Sequence, residues 1–159
     1  MTEKLVQAFV MCYIDYCNSL LYGLPANQLQ KLQAIQNSAA RIVSRTRKNE
    51  SISPILRALH WLPVQLRVTF KILLFAYQCF HGIAPSYLSD LLVKYEPRRN
   101  LRSSQKDLYV VPQISTNFYG KRSFGHAAPD LWNGLPNHVK YADTVEKFKT
   151  SLKSYLFKI

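Results

Sequence analysis

The pattern of apolar and polar positions along this chain is helical almost from end to end. Leu5, Phe9, Tyr13, Tyr16 and Leu20 recur at three- and four-residue spacing, with Thr2 in the place of an N-cap and Gly23 and Pro25 as a stop. A second amphipathic run spans about Asn27 to Arg45, and Leu29, Leu32, Ile35, Ala39, Ile42 and Val43 form its apolar stripe. On another face Lys31, Ser38, Arg41 and Arg45 fall within about 80°. The Gly23-Leu24-Pro25 turn between the two runs predicts an antiparallel helical hairpin.

Ser53-Pro54 opens a short helix, Ile55 to Leu59, and the stretch from His60 to Gly82 then organises the chain. Pro63 suits a first helical turn, Gly82 a C-terminal cap, and Pro85 a stop. Ile72 to Tyr77 is apolar without a break, so this helix belongs in the core. Its polar residues Arg67, Lys71, Gln78 and His81 share an arc of about 80°, which predicts one cationic edge at the surface. Arg67 and Lys71 are expected to snorkel, or to pair with an acid such as Asp90. His60 and Trp61 are expected to form a packed corner of the core, and Trp132 is expected inside as well.

Beyond Pro85-Ser86, which opens another short helix with Leu88, Leu91 and Leu92, the texture changes. Lys94, Arg98, Arg99, Arg102 and Lys106 are opposed only by Glu96, which reads as a basic loop. Leu108 to Val111, closed by Pro112, reads as one short β element. Tyr119 to Trp132 contains a helix despite Gly125 and Pro129. Asp143 to Glu146 resembles a capping box for a last helix, with Val145, Phe148, Leu152 and Leu156 inward and Lys147, Lys149 and Lys153 outward. The reading is a mainly α fold in three parts. Residues 1–93 are a helical core whose first 46 residues are the hairpin. Residues 94–118 are the basic connector, and 119–159 a small C-terminal helical module.

Composition adds one strong fact. Lys and Arg number 21 against 9 Asp and Glu, a net charge of +12 and a pI near 9.8. That balance favours polyanions, nucleic acid before acidic membrane. Hydrophobic residues make up 48%, enough for a packed core. Cys12, Cys17 and Cys79 are an odd, sparse set, consistent with reduced thiols in the cytoplasm or nucleus rather than a secreted chain. No stretch makes a membrane span, and docking onto the protein is expected for the lysine-bearing last helix.

Several phrases carry a resemblance. They are Asp15-Tyr16-Cys17-Asn18-Ser19-Leu20-Leu21 with Gly23-Leu24-Pro25, Gln36-Asn37-Ser38-Ala39-Ala40-Arg41, and His60-Trp61-Leu62-Pro63-Val64. Further on come Ala84-Pro85-Ser86-Tyr87-Leu88-Ser89-Asp90-Leu91-Leu92, Leu101-Arg102-Ser103-Ser104, and Ala127-Ala128-Pro129-Asp130-Leu131-Trp132-Asn133 with Leu135-Pro136. In this order the chain, from about Leu5 to Phe157, resembles the C-terminal part of the reverse transcriptase polyprotein of LINE-type (non-LTR) retrotransposons, jockey-like superfamily. The resemblance implies that residues 5 to about 46 are thumb-like helices that grip a primer–template duplex. It implies that the remainder helps hold element RNA and target DNA. The family's endonuclease, fingers and palm, with the paired metal-binding aspartates, would lie upstream and are not in this sequence.

The residues agree on catalysis. Two-metal phosphoryl transfer needs converging carboxylates, whereas the nine acids here are scattered and no Asp-Asp pair occurs. The expectation is a chain without polymerase activity, without a cofactor and without a metal. Cys79-Phe80-His81 and the Cys12–Cys17 spacing do not match paired zinc ligands. Residues two apart on a helix also point apart, which argues against a Cys79–His81 catalytic pair. The candidate nucleic-acid contacts are Lys31, Arg41, Arg45, Arg47 and Lys48, together with Arg98, Arg99, Arg102 and Lys106. They would position RNA or an RNA–DNA duplex through phosphates, and Tyr95 or Tyr109 would add stacking on unpaired bases. The alternative is a helical protein-interaction module, or an inactive retroelement remnant without nucleic-acid affinity. In that case the first helices, lacking a palm to pack on, would expose Phe9, Tyr13 or Tyr16.

Overall fold

A computed structural model describes residues 1–97, 107–116 and 119–158, and it is mainly helical. The chain divides into two compact units, Met1–Thr69 with Leu156–Ile159, and Phe70–Tyr155. The division falls inside the central helix.

In the first unit the N-terminal segment is not one regular helix. α1 (Thr2–Val6) passes into a π-helical segment (Gln7–Met11) and then α2 (Cys12–Asp15). Tyr16 is extended, Cys17 is left-handed, and Asn18–Leu21 is a 3-10 turn. The wider π turn aligns residues five apart, so Val6 and Met11 face inward together, followed by Ile14 and Asn18. The expected stripe is therefore the outer face: Phe9, Tyr13 and Tyr16 are 69%, 76% and 79% exposed, and Leu5 and Leu20 point out with them. Thr2 is the first helical residue rather than the cap, and Met1 occupies the cap position.

α3 (Ala26–Ser44) follows the predicted run and ends on Arg45 in the left-handed conformation. Ala39, Ala40 and Gln36 are buried on it, with Leu29, Leu32 and Val43 packed alongside. Ile35 and Ile42, expected in the stripe, are exposed. α4 (Ile52–Ala58) begins earlier than expected, and Pro54 lies in its first turn, where no intrahelical N–H bond is lost. His60 closes it at φ 54°, with His60 N–H donating to Arg57 and Trp61 N–H to Leu56. Trp61 is buried but His60 is exposed, so the pair does not form one packed corner. The left-handed turn itself aims the two side chains apart.

A polar clamp fixes the entry to the central helix, α5 (Val64–Phe80). Gln36, fully buried, donates to the Leu62 carbonyl at 2.9 Å. Gln33 accepts from the Val64 N–H at 2.8 Å and donates to the Gln36 and Asn37 side-chain oxygens. The bond from the Val64 N–H satisfies one of the donors that a helix start leaves without an intrahelical partner. Arg67 makes a two-pronged ion pair with Asp15, Nε to Oδ1 at 2.7 Å and Nη2 to Oδ2. Its partner is thus Asp15 rather than Asp90.

Residues Phe70–Phe80 of α5 belong to the second unit, and their core is aromatic. Tyr77 stacks on Phe148 of α9 (Val145–Leu156), with ring centroids 4.1 Å apart. Its hydroxyl donates to the Ala142 carbonyl at 2.6 Å. Trp132, at the end of α7 (Phe124–Asn133), lies against Phe80 and Tyr109 and donates Nε1–H to the Asp107 carbonyl at 2.9 Å. α5 stops where expected: Gly82, at φ 67°, donates to Cys79, and Ile83 donates to Gln78, a double C-terminal cap.

The expected β element is a single antiparallel bridge between Lys94 and Tyr109, with no strand among the described residues. The Asn133 side chain completes it, accepting from and donating to the Tyr109 backbone. Between these parts lie the single turns α6 (Ser86–Ser89) and α8 (Asn137–Lys140). At the start of α9 the cap is Thr144, whose Oγ1 accepts from the Lys147 N–H, not Asp143. Asp143 instead pairs with the Lys147 ammonium at 2.8 Å.

Candidate nucleic-acid interface

From Tyr16 to Asn49 the sequence contains no acidic residue, and five of the candidate contacts lie in that stretch. α3 places Lys31 on its exposed face, and no carboxylate among the described residues pairs with it. Arg45, Arg47 and Lys48 are exposed on the turn that leaves α3.

Arg41 is different. It is half-buried, and its Nη1 donates to the carbonyls of Arg47 and Glu50, each at 3.0 Å. The Arg47 N–H in turn donates to Glu50 Oε1 at 3.3 Å. Arg41 thus folds the 45–50 turn back on the helix end, and it presents Arg45, Arg47 and Lys48 rather than joining them as an equal. The left-handed conformation of Arg45 (φ 53°) adds to this arrangement. A non-glycine residue there costs about 1–2 kcal/mol, and glycine is the usual occupant.

The remaining candidates, Arg98, Arg99, Arg102 and Lys106, lie outside the described residues. Flanking them, Lys94 holds its ammonium 4.7 Å from the Phe80 ring centre, a cation–π contact. Tyr109, offered above as a stacking residue, is buried, and burial raises its hydroxyl pKa, with a smaller contribution from the Cys79 thiolate charge. It supports the core and is closed to bases. Tyr95 is exposed.

Sequence reasoning missed Arg57, an exposed cation on α4 that no run or motif singles out. It also missed the buried Lys140, whose ammonium lies 5.7 Å from the Trp132 ring centre. Among the described residues no group of three or more His, Cys, Asp or Glu side chains converges on a point. No helix among them is long and apolar enough to cross a membrane. Cys79 is buried, which raises its thiol pKa, with a Ser89 hydrogen bond opposing the shift; Cys12 and Cys17 are exposed. Comparison with family models, curated proteins and solved structures finds no match.

Proposed function

We propose that this chain is a non-catalytic part of a retrotransposon reverse transcriptase polyprotein that binds RNA or an RNA–DNA duplex through charge. The observation that carries the reading is the acid-free stretch from Tyr16 to Asn49, with Lys31, Arg45, Arg47 and Lys48 exposed on it. Phosphates would be gripped without base readout, so affinity would depend on salt far more than on sequence. The ordered phrases quoted above support the retroelement origin. In the parent protein a palm domain would supply the chemistry.

Fluorescence anisotropy with a labelled RNA hairpin and an RNA–DNA hybrid tests this. Four contacts predict that log K falls with log salt at a slope of about −3 to −4 on a duplex. Engagement of Arg98, Arg99, Arg102 and Lys106 as well steepens it to about −7. No binding at low salt removes the proposal. A second reading, a protein-interaction module without nucleic-acid affinity, is favoured by the exposed Phe9, Tyr13 and Tyr16. Self-association with no response to either oligonucleotide supports that reading.

A further inference from the structure

The first unit carries an apolar groove that a phosphate-binding surface does not require. It lies between α3 and the α1–π segment, with Val6 and Val10 on one side, Ile35 and Ile42 on the other, and Ala39 among its lining residues. Its volume is about 380 Å³, and Ile35 and Ile42 remain 50% and 61% exposed. At 100° per residue, Lys31, Ile35 and Ile42 fall within about 40° along α3, and Arg45 caps its end. Two exposed isoleucines therefore lie between two exposed cations that are about 21 Å apart along the axis. Glu3 is the one acid on the helical segments that form the groove, against Lys4, Lys31, Arg41 and the capping Arg45.

We propose that this groove docks an amphipathic helix of a partner protein, apolar on one face and acidic on its flanks. Aliphatic side chains at helical spacing would fill the groove, and carboxylates would meet Lys31 and Arg45 at its ends. A second copy of the chain fits less well, because the same cations would face each other in a pair of +12 chains. Phosphates gain nothing from an apolar floor. The proposal stands apart from nucleic-acid binding but shares Lys31 and Arg45 with it, so the helix and a nucleic acid would compete.

The probe is a labelled synthetic peptide of about four helical turns, with leucines on one face and glutamates on the other. A control peptide keeps the leucines and replaces each glutamate by lysine. With the full chain at low salt, the glutamate peptide is expected to bind about tenfold more tightly than the lysine peptide. Ile35→Asp is expected to abolish that binding while lowering RNA affinity only by the few-fold that one carboxylate added beside Lys31 explains. Lys31→Glu with Arg45→Asp is expected to reverse the order of the two peptides. These side chains are exposed, so circular dichroism should not change; should Ile35→Asp unfold, the charge-swapped variant decides. Equal affinity for both peptides, no binding of either, or full glutamate-peptide binding by Ile35→Asp overturns the proposal. So does a dimer that Ile35→Asp dissociates, which puts a second copy in the groove. RNA binding that the same change abolishes puts nucleic acid there instead, with the same consequence.

Discussion

In the second unit Trp132, Tyr77, Tyr109 and Phe148 are buried in ring-to-ring contact. In the first, Phe9, Tyr13 and Tyr16 stand in solvent, and the core is aliphatic around one Trp. The aromatics of α5, α7 and α9 thus close a core, whereas those of the N-terminal segment decorate a surface, as Tyr87 and Tyr119 do in the second unit. Which face turns inward makes the difference. α5, α7 and α9 carry Tyr77, Trp132 and Phe148 inward, whereas the N-terminal segment buries Val6, Met11 and Ile14 and leaves Phe9, Tyr13 and Tyr16 on its outer face. Aromatic content therefore reports a core only where a second element packs on the face that carries it.

The largest expected effect tests the closed aromatic region. Trp132→Ala removes a fully buried ring and its bond to the Asp107 carbonyl, and should cost about 3–5 kcal/mol in urea denaturation followed by circular dichroism. A loss under 1 kcal/mol would mean that the cluster does not hold the second unit together.

In the first unit the matching test is polar. Gln36→Ala leaves the Leu62 carbonyl without its donor and opens a small cavity, at a cost of about 2–3 kcal/mol by the same measurement. Gln36→Leu, which fills the space but restores no hydrogen bond, should recover only part of it.

Alkali should separate the two regions. Burial raises the pKa of Tyr77, Tyr109 and Cys79 above their ordinary values of 10.0 for tyrosine and 9.0 for the thiol. The fold holds these protons where the unfolded chain releases them. Their stabilisation is thus complete below pH 9 and is lost as pH climbs from there through the folded-state values. Each unit has one tryptophan, so Trp132 emission in a Trp61→Phe variant should redden above pH 9 before Trp61 emission does in a Trp132→Phe variant. A simultaneous change would join the two transitions into one.

Smaller effects sharpen the picture. Arg45→Gly relieves a left-handed arginine and should stabilise the chain by about 0.5–1 kcal/mol while weakening RNA binding. Phe9→Ser and Tyr13→Ser should change stability by no more than about 0.5 kcal/mol, because those rings are already in water.

The helical fold was legible in the sequence, and so were the ends of its main helices. Gly82 sits in the left-handed cap, and α3 and α5 start and stop within a residue or so of the positions that Pro25, Pro63 and Gly82 imply. Which face of the first segment turns inward was not legible, because Val6, Val10 and Ile14 recur at the same four-residue spacing as Leu5, Phe9 and Tyr13, and nothing in Gln7–Met11 announces the π turn. The Gln33–Gln36 clamp left a trace. Gln36 stands among Leu29, Leu32, Ala39 and Val43 on the buried stripe, and a polar residue in that place asks for a partner. Of the candidate site, Lys31, Arg45, Arg47 and Lys48 were readable as exposed cations. The structural work of Arg41 was not, because it depends on where the 45–50 turn folds back.

The most direct test compares the salt dependence of RNA binding for the chain and for a variant with Arg45→Gln, Arg47→Gln and Lys48→Gln. These side chains are exposed and make no ion pair among the described residues, so stability should hold. The expected result is weaker binding at every salt concentration and a log–log slope shallower by about 2 to 3. An unchanged slope would mean that the turn after α3 touches no phosphate, and nucleic-acid binding by this surface would be contradicted.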